Sequence, residues 1–198
     1  MKPEIIKELD IEFPDGIKMM KMILSLVGDD PSREGLRDTP ARVVKSWMEL
    51  YAGYKIDPKE ILSTVFEDGM HKMTDEIVMC KNIPFYSMCE HHMLPFMGKV
   101  HIGYLPKNKV VGLSKLARLV DCFGRRLQIQ EKLTCQIADS IIECLEPEGV
   151  GVIIEAEHLC MQCRGVQKVG SSMVTSAMRG KFKTQSSTRA EFLALIKN

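Results

Sequence analysis

Apolar residues recur at helical spacing from Asp15 onward. Ile17, Met20, Ile23, Leu24 and Val27 form the stripe, and Gly28 stops it. Residues 1–14 carry little pattern and read as a loose arm. The stretch from Asp29 to Asp38 is polar and turn-rich. Thr39-Pro40 opens a second predicted helix, with Thr39 as its cap and proline at a tolerated first position. Val43, Val44, Trp47, Met48, Leu50 and Tyr51 make its apolar face, and Gly53 closes it. Asp57-Pro58 begins a short helix through Leu62. The N-terminal third is therefore predicted to be helical.

The pattern changes near Asp75. Glu76 to Ile83 reads as a strand that Pro84 ends, leading into a loop at Cys89 to His92. Phe96 to Leu105 alternates, with Val100, Ile102 and Tyr104 on one face. Val110 to Leu113 is a short strand after a Pro106–Lys109 turn. Ser114 is a candidate cap for a helix carrying Leu116, Leu119, Val120 and Phe123. A longer helix is predicted from about Gln130 to Leu145, with Leu133, Ile137, Ile141, Ile142 and Leu145 inward. Val150 to Leu159 and Ser172 to Met178 read as strands, and Thr188 to Ile196 as a terminal helix. Two pairs of strands separated by paired helices predict an α+β fold with an antiparallel sheet. The division expected is an N-terminal arm and helices over residues 1–74 and a core over residues 75–198.

At 198 residues, 45% hydrophobic and 27% charged, the chain has the composition of an ordinary globular domain. A net charge of +1 implies no general attraction to nucleic acid, so any phosphate recognition must come from local clusters. No apolar run approaches the roughly 20 residues of a membrane span. The opening residues lack the apolar core of a signal peptide. Seven cysteines at scattered positions do not resemble a secreted disulfide framework, and a reducing cytoplasm is the expected location.

Ser87-Met88-Cys89-Glu90-His91-His92 concentrates a thiol and two imidazoles in a chain with five histidines. Glu157-His158-Leu159-Cys160 supplies a second such pair far downstream. Zinc favours thiolate and imidazole, and a catalytic site keeps three protein ligands with a fourth position open. Cys89 and a histidine close behind it can be offered by one tight loop, with a third ligand from a distant strand end. Successive side chains diverge, so of His91 and His92 one is read as ligand and the other as proton carrier. Cys160-Met161-Gln162-Cys163 also matches a Cys-x-x-Cys pattern, but no second pair exists for a four-cysteine site. His71 and His101 lie outside both clusters and read as surface or core histidines.

Lys115 and Arg118 share a helix face, and Arg164 follows the second cluster by four residues. A helix start with convergent cations suits an anion. Arg125-Arg126 reads as surface or interface charge. Glu131, beside Gln130 at a helix start, is either a base-recognition carboxylate, able to accept from the N1 and N2 donors of guanine, or a favourable first-turn acid.

The sequence resembles the GTP cyclohydrolase I family from about Gly28 to the C-terminus. The matching stretches are Asp38-Thr39-Pro40-x-Arg42-Val43, Ser87 to His92, Gly103-Tyr104-Leu105-Pro106, Gly112-Leu113-Ser114-Lys115-x-x-Arg118, Arg125-Arg126-Leu127-Gln128-x-Gln130-Glu131-x-Leu133-Thr134 and Glu157-His158-x-Cys160-x-x-x-Arg164-Gly165-Val166. The resemblance implies a tunnelling fold, a four-stranded antiparallel sheet with two helices between its strand pairs, preceded here by the N-terminal helical region. It implies a toroidal homo-oligomer, usually a decamer, with active sites at subunit interfaces. It implies one Zn2+ per subunit held by Cys89, His92 and Cys160, with His91 and His158 catalytic. Ser114, Lys115, Arg118, Arg164 and Arg42 match the triphosphate region, and Ser114 is also a candidate in the later proton relays. Gln130 and Glu131 match the guanine-recognition positions. The implied reaction converts GTP and water to 7,8-dihydroneopterin triphosphate and formate, the first step towards tetrahydrofolate or tetrahydrobiopterin. Cys163 departs from the family pattern and is a candidate competing thiol. The alternative is a non-catalytic, zinc-stabilised protein that binds guanine nucleotides through a closed four-ligand site.

Overall fold

The structure, a computed structural model, describes residues 12–66 and 76–197. Residues 1–11 of the arm expected over residues 1–14, and His71, lie outside them, and the first helix begins within that expected arm, at Pro14. The chain forms two compact units, Met1–Ala52 and Gly53–Asn198.

In the first unit, helix α1 (Pro14–Leu26) packs on α2 (Thr39–Leu50). Ile17, Met20, Ala41 and Val44 form a small core between them, flanked by Phe13, Val43 and Trp47. Gly28 stops the first helix with a φ of 90°, a conformation that suits a residue with no Cβ. Thr39 is the first residue of α2 and Asp38 holds the cap position, so the expected threonine cap is displaced by one residue.

The second unit is built on one sheet. After a 3-10 turn at Ala52–Lys55 come α3 (Pro58–Leu62), β1 (Val65–Phe66), β2 (Val78–Cys89), β3 (Pro95–Leu105), β4 (Val110–Val111) and α4 (Leu113–Gly124). They are followed by β5 (Leu127–Gln128), α5 (Gln130–Leu145), β6 (Gly149–His158), α6 (Leu159–Gln162), β7 (Ser172–Gly180), α7 (Lys181–Thr184) and α8 (Ser186–Lys197). The main sheet runs β5-β2-β3-β6-β7, while β1 and β4 pair separately. The four long strands are antiparallel, as expected, with α4 and α5 between the two strand pairs. The short β5 adds a fifth strand, parallel to the end of β2, and makes the sheet mixed.

Pro84 does not end its strand. It pairs opposite Lys99 inside β2, which continues to Cys89. The outer side of β2 is covered by β5 only at Met88 and Cys89, so along most of its length β2 is an edge, where a residue without an N–H is tolerated. The helix after β4 begins at Leu113 with Gly112 at its cap, so Ser114 lies in the first turn and makes no cap bond. Helix α3 runs to Leu62 as expected, and Asp57 caps it, accepting from the Lys59 N–H at 2.9 Å.

One sheet face packs against α4 and α5. Phe85, Phe96, Val100, Ile102, Tyr104, Val152 and Ile154 meet Leu116, Leu119, Leu133, Ile137 and Ile141, all buried. Part of the other face is covered by Phe182 and Phe192, which pack with Leu105 and Ile153. His101 points to that second face and is 5% exposed. Its Nδ1 accepts from the Asn82 N–H at 3.4 Å, where a register shift sits in β2 and Asn82 has a φ of 58°.

Burial lowers the His101 pKa, and the Lys99 and Lys81 charges act with it against Glu155. A proton on Nδ1 would set two donors against each other. The folded chain therefore favours neutral His101, and its contribution is complete above the unfolded value of about 6.5. Stability should fall as pH drops below about 6.5. His101→Asn, whose side-chain oxygen can still accept from Asn82, is expected to shrink that slope in urea midpoints. An unchanged slope would remove His101 as a cause.

Candidate active site

Sheet register brings the two clusters together. Ser87 in β2 pairs with Phe96 in β3, and Phe96 pairs with His158 in β6. The end of the β2–β3 hairpin and the end of β6 thus lie in one row. The hairpin turn closes tightly: Cys89 carbonyl accepts from Met93 N–H at 2.8 Å, and Cys89 N–H donates to Leu94 carbonyl at 2.9 Å. Met93 takes a φ of 52° to complete it. Beyond His158, the short α6 turns Cys160 back towards the hairpin.

Cys89, His92 and Cys160 form the metal-competent group among the described residues, with one ligand atom from each within 4.8 Å of the others. Cys89 Sγ lies 3.7 Å from His92 Nδ1. A sulfur and a nitrogen sharing a tetrahedral zinc would stand about 3.6 Å apart, from bond lengths of about 2.3 and 2.0–2.1 Å. The residues present therefore fit a zinc-sized ion with three protein ligands. Burial and the adjacent Cys89 sulfur push the Cys160 thiol up, while Arg164 draws it down. Arg164 Nη1 also sits 3.3 Å from His92 Nε2. Cys163 is exposed and stands outside the three-residue group, so a closed four-ligand site through it has no support.

The same row forms a cleft of about 250 Å³ lined by Cys89, His91, His92, Gln128, Ile129, Gln130, Glu131, His158 and Cys160. The start of α5 reaches it because β5 runs beside Met88 and Cys89 and hands the chain on to Gln130. His158 is half-buried and stacks on Phe96, with ring centroids 4.6 Å apart and planes 3° from parallel. Its Nε2 lies 2.8 Å from Gln130 Oε1. Burial lowers its pKa, and the Glu131 carboxylate partly opposes that. His91 is exposed, its ring centroid 6.2 Å from that of His92. The cleft thus joins a three-ligand metal group, a half-buried imidazole and a carboxylate, a set suited to metal-assisted hydrolysis with proton transfer.

A family model for GTP cyclohydrolase I matches residues 17–197. The chain belongs to the GTP cyclohydrolase I family. A GTP cyclohydrolase 1 from Wolinella succinogenes is 62% identical over 179 residues, covering 90% of this chain and 94% of the relative. One from Geobacillus kaustophilus is 52% identical over 189 residues, covering 95% and 98%. One from Halalkalibacterium halodurans is 54% identical over 177 residues, covering 89% and 92%. The α+β core with its strand pairs and intervening helices agrees with the tunnelling fold of the GTP cyclohydrolase I family.

The remaining family-matched positions fall elsewhere. Ser114, Lys115 and Arg118 lie along the first turns of α4 and are not among the residues lining the cleft. Arg42 sits on α2 in the first unit, its guanidinium 3.1 Å from the Asp38 carboxylate. Arg126, read with Arg125 as surface or interface charge, is also a local clamp: it donates to the carbonyls of Cys122 at 2.9 Å and Ile56 at 3.2 Å and stacks over Phe123. Two contributors were not visible as site residues. Phe96 carries only the alternation of a core strand, and Thr175, whose Oγ1 lies 3.1 Å from Gln130 Nε2, carries no signal at all. No helix among the described residues is long and apolar enough to cross a membrane.

Proposed function

We propose that this chain is a GTP cyclohydrolase I that hydrolyses GTP at guanine C8, giving formate and 7,8-dihydroneopterin triphosphate at the entry to tetrahydrofolate or tetrahydrobiopterin synthesis. The observation that carries the reading is the convergence of Cys89, His92 and Cys160 beside His158 in one cleft, in a chain of this family. Zinc is the metal we assign, one per subunit, because two thiolates and an imidazole favour it. When bound, it supplies Lewis-acid activation of water near neutral pH.

The chain's own residues divide the remaining work. His158, at the cleft wall, delivers a proton to the imidazole ring of the base and makes C8 more electrophilic. Glu131 accepts from the N1 and N2 donors of guanine and selects it over adenine. His91 and Ser114 serve the later proton relays in which the ribose opens and the new ring closes. Lys115, Arg118 and Arg164, with Arg42, hold the triphosphate. Lys115 and Arg118 stand outside the cleft of their own subunit, which supports a toroidal assembly of ten chains whose sites are completed by a neighbour. Residues 75–198 are the catalytic core in this reading. Seven free thiols fit a cytoplasmic enzyme.

GTP labelled at C8 should release its label as formate, and ATP should not. Glu131→Gln is expected to cut the preference for GTP over ATP by about tenfold to a hundredfold, the size of one or two lost charge-assisted hydrogen bonds. Unchanged discrimination would remove Glu131 from base recognition.

A further inference from the structure

Gln130 is 1% exposed, and its side-chain amide is enclosed by four partners. Its Nε2 lies 3.0 Å from the Ile154 carbonyl, 2.9 Å from the Met173 carbonyl and 3.1 Å from Thr175 Oγ1. Two of these are carbonyl oxygens that only accept. An amide turned the other way would set its own oxygen against both. The nitrogen is therefore fixed on the β6–β7 side, and Oε1 faces His158 Nε2 at 2.8 Å. That oxygen only accepts, so the proton on the bond belongs to His158 Nε2.

The hydroxyls beside it agree. Thr134 Oγ1 donates to the Gln130 carbonyl at 2.6 Å and lies 2.7 Å from Thr175 Oγ1. Each hydroxyl has one proton, so Thr175 donates to Thr134 and leaves a lone pair for the Gln130 amide. The two amide protons then face three acceptors and no competing donor. The Phe96 stack fixes the plane of the His158 ring. Among the described residues, His158 Nδ1 has no hydrogen-bond partner.

We propose that Gln130 is a positioning residue, which holds His158 as the Nε2–H tautomer so that Nδ1 is the atom that takes up a proton from solvent and passes it to the substrate. This departs from the guanine contact implied for Gln130 by family resemblance. The catalytic part rests on the function proposed above, whereas the tautomer is observable without turnover.

The test uses metal-loaded protein labelled with 15N-histidine, read by NMR at mildly alkaline pH, where an imidazole is neutral. His158 should show a protonated Nε2 and an unprotonated Nδ1. Gln130→Met should give a mixture of tautomers and lower kcat by about 10²-fold, towards the low end of what positioned proton transfer contributes. KM for GTP should stay within about twofold, and the preference for GTP over ATP should persist. Thr175→Val should keep the single tautomer, because the two carbonyls still orient the amide. An Nδ1–H tautomer in the parent protein would overturn the proposal, whether or not the methionine variant folds. So would a raised KM or lost guanine preference in Gln130→Met with the tautomer intact. A single Nε2–H tautomer in a protein that does not turn over GTP would fault the proposed function and leave the lock standing.

Discussion

Cys160→Ser is expected to abolish stoichiometric metal binding and to lower formate release by about 10³-fold or more. The size follows from the several kcal/mol that a catalytic metal contributes, at about 1.4 kcal/mol for each tenfold in rate. Cys160 is the ligand that closes the group from the far side. It reaches Cys89 and His92 only because Phe96 pairs with both Ser87 and His158 and α6 then turns the chain back. A hydroxyl in place of the thiol leaves one sulfur and one imidazole, too few to hold a zinc-sized ion tightly. Metal per chain after dialysis and formate per minute would be measured together. Cys163→Ser is the companion, expected to change neither. A Cys160→Ser protein with one metal per chain and native turnover would mean that another group, Cys163 first among them, completes the site.

His158→Ala should separate metal binding from proton transfer. The expected result is one metal per chain, as in the parent, with formate release lowered by about 10²- to 10⁴-fold, the usual span for a positioned acid or base. His158 lines the cleft beside the metal group, bonds to Gln130 and is not one of the three ligands. Its loss removes a ring stacked on Phe96 and leaves the three ligands in place. Formate at the native rate would contradict its role in protonating the base. Loss of metal along with activity would instead make it a support for the ligand group.

Much of this was legible because the chemistry of Cys89, His92, His158 and Cys160 is local to two short stretches, each at a strand end. The long strands and α5 announced themselves by period and length. What escaped depends on partners distant in sequence. Pro84 reads locally as a strand end, yet β2 continues because its outer edge is largely open. Leu127–Gln128 is too short to show a period, and only Met88 and Cys89 make it a strand. Gln130 looks like any polar first-turn residue, since Ile154, Met173, Thr175 and His158 lie 24 to 45 positions away. Ser114 has the side chain of a cap, but the helix starts one residue earlier, at Leu113.

The most direct test of the central claim is to incubate zinc-loaded protein with GTP and quantify formate and, after oxidation, the fluorescent pterin. The account predicts equal amounts of the two, rising together with GTP consumed. GTP bound and unconsumed, with one zinc per chain and neither product, would contradict it.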